Sequence, residues 1–184
     1  MIVNKFKKIT ESETILTELM IPSYANFGGK IHGGVLLSLM DKVAYVSATK
    51  HSGAYCVTVA VEGVEFLNPI EVGELVFLKS SVNYVGNSTM IIGMRVEALN
   101  PKTEQIKHTN SCYFTMAAKN DKGELTNVPG LIIENEIQLR RYAEAKELKA
   151  MSLIKRKMLQ SDFNHKTISE LKMDFKNDKC EIIF

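Results

Sequence analysis

The sequence predicts an α+β fold in which an antiparallel sheet curls around one long helix. Three observations carry this. A first strand is followed by an apolar helix within the stretch from Asn26 to Lys50, and residues 55–118 then hold four β-rich stretches joined by short turns. A sheet wrapped around a single central helix is the economical way to bury that helix.

Glu13 to Met20 alternates, with Ile15 and Leu19 against Glu18, and reads as the first strand. Pro22, Ser23, Asn26, Gly28 and Gly29 make the segment 21–32 an irregular loop placed where function is expected. The helix runs to about Lys50, and His51, Ser52 and Gly53 form its stop. Tyr55 to Leu67 is rich in β-branched residues, with Gly63 as a bulge, and ends at Asn68-Pro69. Glu74 to Val85 sets Val76, Leu78, Val82 and Tyr84 on one face. After the turn Gly86-Asn87-Ser88, Thr89 to Leu99 points Met90, Ile92, Met94 and Val96 one way and Arg95 and Glu97 the other. Asn100-Pro101-Lys102 turns into Gln105 to Ala118, with Ile106, Cys112, Phe114 and Met116 on one face. These strands read as a meander that Pro129-Gly130 closes. Asn135 to Gln160 is a strongly charged surface helix, acidic at its start and basic at its end as its dipole favours. Residues 161–184 are mixed and polar with the apolar end EIIF, a short docked strand or a frayed tail.

On the long helix, Val35, Leu36, Leu39, Met40, Val43 and Val46 form one broad apolar face, and Gly34, Ser38, Asp41 and Tyr45 form a narrow opposite strip. A helix apolar around most of its circumference is expected to be largely buried, so this strip faces a site and not open water. A lone Asp in a helix is most often solvated, but Asp41 has apolar residues on both sides and so reads as a functional carboxylate. The backbone N–H groups of Gly33 and Gly34 lie at the helix start, without intrahelical partners or side chains to block approach. Gly34 and Asp41 are about two turns apart, roughly 10 Å along one face. An oxyanion-type donor and a carboxylate therefore share one side of the helix. His32, beside the helix start, fits a capping or surface residue as well as a chemical one.

Composition limits the function classes. A chain of 184 residues with 45% hydrophobic and 24% charged content fits one globular domain with an appendage. A net charge of +2 gives no global field for nucleic acid or membrane. Cys56, Cys112 and Cys180 share no metal-ligand spacing, and no apolar run is long enough for export or a membrane span, so a cytoplasmic protein is expected.

The run Asn26-x-x-Gly29-x-Ile31-His32-Gly33-Gly34, followed after six residues by Asp41, resembles the hotdog-fold acyl-coenzyme A thioesterases of the cytosolic acyl-CoA hydrolase type. HGGVLLSLMDKVA is similar to that family's central helix, VTVAVEGVEFLNPIEVGE to the strand and turn after it, and GNSTM to its Gly-x-Ser/Thr-Ser-Met turn, with Thr89 where Ser is usual. The likeness covers roughly residues 12–157.

The resemblance implies a hotdog domain over 1–130, a C-terminal helix packed on it over 131–160, and a tail of unknown role over 161–184. It implies hydrolysis of fatty acyl-CoA to free acid and coenzyme A, with no cofactor or metal. The partners it implies are the acyl-CoA substrate and further copies of the chain, as a homodimer with one continuous sheet, often a trimer of dimers. Asp41 of one protomer and Asn26 of the other form the expected catalytic pair, and Gly33 or Gly34 polarises the thioester carbonyl. Asp41 activates water or attacks directly to give a mixed anhydride. Ser38 and Tyr45, and His32 beside them, are substrate-side candidates. Ser88, Thr89 and Arg95, with Arg140, Arg141 or Lys146 on the terminal helix, are candidates to hold the coenzyme A phosphates. A hotdog dehydratase with His32 as base and Asp41 as acid lacks its His-Phe-Pro-Gly-like run. A non-catalytic acyl-CoA sensor or scaffold, recruiting a partner through 161–184, is the reading from a different class.

Overall fold

The structure, a computed structural model, describes residues 5–161, 166–175 and 178–184. Five strands form one antiparallel sheet in the order β2-β4-β5-β6-β3, comprising β2 (Thr14–Leu19), β3 (Tyr55–Phe66), β4 (Leu75–Val85), β5 (Thr89–Leu99) and β6 (Ile106–Lys119). Helix α1 (Gly33–Ser52) packs against all five strands. The expected α+β sheet around one helix is therefore present. Its core joins Leu36, Met40, Val43 and Ala44 of α1 to Val76, Leu78, Val82, Met90, Ile92, Val96, Phe114 and Met116 of the sheet. α1 stops where Gly53 adopts a left-handed φ of 68° and returns its N–H to the Thr49 carbonyl at 2.8 Å.

Several expectations change. β3 does not pair with β4; it crosses to the far edge and pairs with β6, because the segment from Leu67 to Glu74 carries the chain over the end of the sheet. Only β4, β5 and β6 form a meander. The bulge at Gly63 is present, since the β3–β6 register shifts between Glu62 and Glu65 and Gly63 has a φ of 64°. A second irregularity between Val82 and Tyr84 turns Tyr84 off the face of Val76 and Leu78, and its ring lies 5.3 Å from that of Tyr142. A third, opposite Thr109, changes the alternation in β6, so Ile106 is exposed while Cys112, Phe114 and Met116 are buried. In β2, Ile15 and Leu19 are exposed because that edge strand turns them away from α1. On α1, Val46 is exposed and Ser47 and His51 are buried, because the sheet covers only one side of the helix.

Two short strands precede and follow this core. β1 (Phe6–Lys8) pairs in parallel with β7 (Gly130–Ile132), so Pro129-Gly130 does not end the globular part. Three-residue strands are too short to show a period. α2 spans Glu136–Ser161 and is capped by Asn135, whose side chain accepts the Gln138 N–H at 2.9 Å. The chain divides within α2 into two compact units, Met1–Ala145 and Lys146–Phe184. The second unit contains α3 (Ile168–Asp174), which has a Thr167/Glu170 capping box. No strand forms among the described residues of the tail; residues 162–165 and 176–177 of the expected segment lie outside them. Among the described residues, no helix is long and apolar enough to cross a membrane.

Candidate active site

The N-terminus of α1 is built by the loop before it. Asn26 Oδ1 accepts the N–H groups of Gly28 at 2.9 Å and Lys30 at 3.2 Å, and the Asn26 N–H reaches the Lys30 carbonyl at 2.7 Å. These bonds occupy the carbonyl end of the side chain and leave its amide N–H groups as donors. His32 is the N-cap: its Nδ1 accepts the Gly34 N–H at 2.8 Å, and its own N–H donates to the Tyr24 carbonyl at 2.8 Å. The two expected glycine donors are thereby distinguished. The Gly34 N–H is taken, whereas the Gly33 N–H has no hydrogen-bond partner among the described residues. Gly33 lies under the Phe66 ring, where an added Cβ would sit 3.1 Å from Cζ. Asn26 and Gly33 line one cavity of about 460 Å³ with Lys30, Leu36, Phe66 and Pro69.

Asp41 is half-buried and eight residues beyond Gly33, about 12 Å along the helix. It does not line that cavity. Its Oδ1 accepts the Thr58 hydroxyl of β3 at 2.6 Å, and Thr58 Oγ1 also lies 3.4 Å from Met116 Sδ. Sequence reasoning missed Thr58. One Thr in a β-branched strand gives no signal until helix and strand are brought together. The same holds for Phe66.

Gly34, Ser38 and Tyr45 are exposed along the strip of α1 that carries Asp41, with the Tyr45 ring edge-on to Tyr55 at 6.3 Å. β3 is a sheet edge, and it exposes Tyr55, Val59, Val61 and Phe66. In one chain the strip is open and not enclosed. The phosphate candidates fall in separate places. Ser88 is in the turn before β5 and Thr89 is the first residue of that strand, whose start is level with Thr58, since Met90 pairs with Met116 and Met116 with Thr58. Arg95, Arg140 and Arg141 line a different cavity of about 380 Å³ with Asn83 and Tyr113. There Arg95 is bound to Glu97 at 2.7 Å, and hydrogen bonds from Lys79 first and Arg95 second hold the Glu97 carboxyl below its ordinary value, while Arg140 faces Glu144 at 3.5 Å. Lys146 begins the second unit.

Burial pushes the Cys112 thiol up to about 12, far from thiolate formation at neutral pH. Among the described residues, no group of three or more His, Cys, Asp or Glu gathers as a metal site.

Residues 28–105 match the family model described as the thioesterase superfamily. Over 140 residues the chain is 43% identical to protein VdlD of Helicobacter pylori, covering 76% of this chain and 80% of that one. It is 30% identical over 129 residues to the uncharacterised acyl-CoA thioester hydrolase YkhA of Bacillus subtilis, 70% of this chain and 75% of the relative. A hexameric acyl-CoA thioesterase crystal structure superposes with a TM-score of 0.79 at 29% identity, covering 84% of this chain and 98% of that chain. The Staphylococcus aureus acyl-CoA hydrolase, solved with butyryl coenzyme A and coenzyme A, superposes with a TM-score of 0.75 at 26% identity, covering 84% and 97%. That enzyme was also solved with a Thr and, separately, an Asp replaced by Ala. By this likeness of sequence and fold, the chain belongs to the thioesterase superfamily, as one of its hotdog-fold acyl-CoA hydrolases.

Proposed function

We propose that the protein hydrolyses fatty acyl-CoA at a site shared by two chains, in which Asp41 of one protomer faces Asn26 and Gly33 of the other. The observation that carries this is the Thr58–Asp41 hydrogen bond at 2.6 Å on an otherwise open helix strip, 12 Å or so from the donors it needs. Thr58 follows Asp41 by 17 residues. The Asp and Thr replaced in the Staphylococcus aureus hydrolase are the same distance apart in its chain.

The Thr58 hydroxyl holds Oδ1, leaving Oδ2 for chemistry. Water attacks the thioester carbonyl carbon as Asp41 takes its proton; alternatively, Asp41 attacks first and water cleaves the mixed anhydride. In either route the carbonyl oxygen gains charge and accepts hydrogen bonds donated by the Gly33 N–H and the Asn26 amide, at a helix terminus that favours it. The C–S bond breaks as the tetrahedral adduct collapses, which in the second route precedes the attack of water on the anhydride, and the coenzyme A thiolate leaves, taking up a proton.

Dimerisation fits the long, unpaired β3 edge with its exposed apolar residues, which a second copy can extend into one sheet. A trimer of such dimers is a hexamer, the number of subunits named for the related acyl-CoA thioesterase structure. Residues 1–130 supply every group in this scheme, which makes that segment the catalytic domain, working in the cytoplasm without a cofactor.

Free-thiol release from acyl-CoAs between acetyl and palmitoyl, with wild type and Asp41→Asn side by side, tests the reading. Turnover on the longer chains that disappears in the variant, with coenzyme A binding retained, supports it. Retention of most turnover by Asp41→Asn removes Asp41 from the chemistry.

A further inference from the structure

Phe27 is fully exposed, its side chain standing clear of the rest of the chain at the tip of the loop that carries Asn26. The loop does not need it. Asn26 Oδ1 and the Asn26 N–H fix the backbone on both sides, the Gly29 N–H bonds the Asn26 carbonyl at 3.0 Å, and Lys30 Nζ bridges to Glu71 at 2.5 Å. A large apolar side chain presented by a braced loop is poised to be buried by something else.

The shared site determines where that loop goes, and the inference rests on that reading. An isologous contact that sets Gly33 against the partner's Asp41 also sets Asp41 against the partner's Gly33, so the two α1 helices run antiparallel. Tyr45 lies one helical turn beyond Asp41 on the same strip. In the antiparallel pair, the partner's Tyr45 therefore falls about 6 Å past the N-terminus of α1, over the loop of residues 26–30. Tyr45 is exposed, and it packs edge-on to the more exposed Tyr55 at 6.3 Å, forming an aromatic surface.

We propose that Phe27 docks on the Tyr45–Tyr55 pair of a second copy of this chain, as the anchor that holds Asn26 against the partner's Asp41. The clamp is formed twice in each dimer. It couples assembly to catalysis, because the residue next to the anchor is a site residue.

The test measures subunit affinity by sedimentation velocity over a dilution series, with kcat and KM at each concentration, for wild type, Phe27→Ala, Phe27→Leu, Tyr45→Ala and the double variant. Phe27→Ala is expected to weaken association by at least about tenfold, with Leu intermediate. Its circular dichroism should be unchanged, since Phe27 is free of contacts within its own chain. Activity should fall as the dimer dissociates and return at high protein concentration. Adding Tyr45→Ala to Phe27→Ala should cost little more, as expected of two residues in one contact. Unaltered association of Phe27→Ala overturns the clamp, as does a rise in KM confined to long acyl chains with association unchanged, which would assign Phe27 to the substrate. A fully active wild-type monomer would instead overturn the shared site on which the clamp rests.

Discussion

The two ends of the polar strip on α1 are built by different means. The Asn26–Gly33 end is made by local backbone geometry: a loop folded on its own hydrogen bonds, an N-cap and a free N–H. The Asp41 end is made by tertiary contact, one helix side chain meeting one strand hydroxyl. The first end presents backbone and amide N–H donors, and the second presents a carboxylate held by a hydroxyl. About 12 Å of helix lies between them within one chain.

The sharpest way to break this comparison is to inactivate each end in a different chain. Asn26→Ala and Asp41→Asn should each be impaired, Asp41→Asn by roughly 10²–10⁴-fold if it acts as the base. Unfolded together and refolded as a 1:1 mixture, they should regain about a quarter of wild-type activity, because half the dimers are mixed and each mixed dimer has one intact site. Failure to regain any activity, with mixed dimers shown by mass spectrometry, would place both ends in one chain's site.

A smaller effect distinguishes the donor from the bulk around it. Gly33 is the first residue of α1, where proline is tolerated and only an unused N–H is lost. His32 is already extended, with a ψ of 126°, as a residue before proline must be. Gly33→Pro should therefore fold and lose roughly 10²–10³-fold in kcat. Gly33→Ala, which presses on Phe66 but keeps the N–H, is the control. Equal losses in the two variants would assign the defect to crowding.

At the other end, Thr58→Val removes the hydroxyl and keeps the shape, and kcat should fall on the order of tenfold, with Thr58→Ser recovering most of it. An unchanged kcat would leave Thr58 as packing against Met116.

The same contrast explains what the sequence allowed to be read. The start and end of α1, the bulge at Gly63 and the inward faces of β4 and β5 follow from local patterns of glycine, capping and alternation. Asp41 stood out as a charge in an apolar helix. The partner edge of β3, the faces of Tyr84 and Ile106, and the small β1–β7 pair depend on crossovers and bulges that move a strand by one residue, and alternation carries no record of them. Thr58 and Phe66 were hidden for the same reason: their roles arise from residues 17 and 33 positions earlier in the chain, Asp41 and Gly33.

The smallest expected effect lies at the far end of α1 and asks whether the frame holding both half-sites titrates separately from the chemistry. His51 is fully buried, and its Nε2 bonds the Pro129 carbonyl at 2.8 Å, tying the helix to the start of β7, while Nδ1 has no partner among the described residues. Burial lowers its pKa below the ordinary 6.5; the Pro129 bond opposes this, Lys7 reinforces it and Glu11 opposes it. The unfolded chain therefore binds a proton more readily than the folded one. Stability contributed by the neutral ring is complete above about pH 6.5 and is lost as the pH falls from there toward the folded-state pKa. Wild-type Tm should drop between pH 7 and pH 5 by more than that of His51→Gln, whose buried amide cannot titrate. Parallel declines in the two proteins would show that other groups set the acid limit. A steeper decline in wild type, with kcat at low temperature following the same pH course in both, would separate the stability of the helix from the ionisation of the groups it carries.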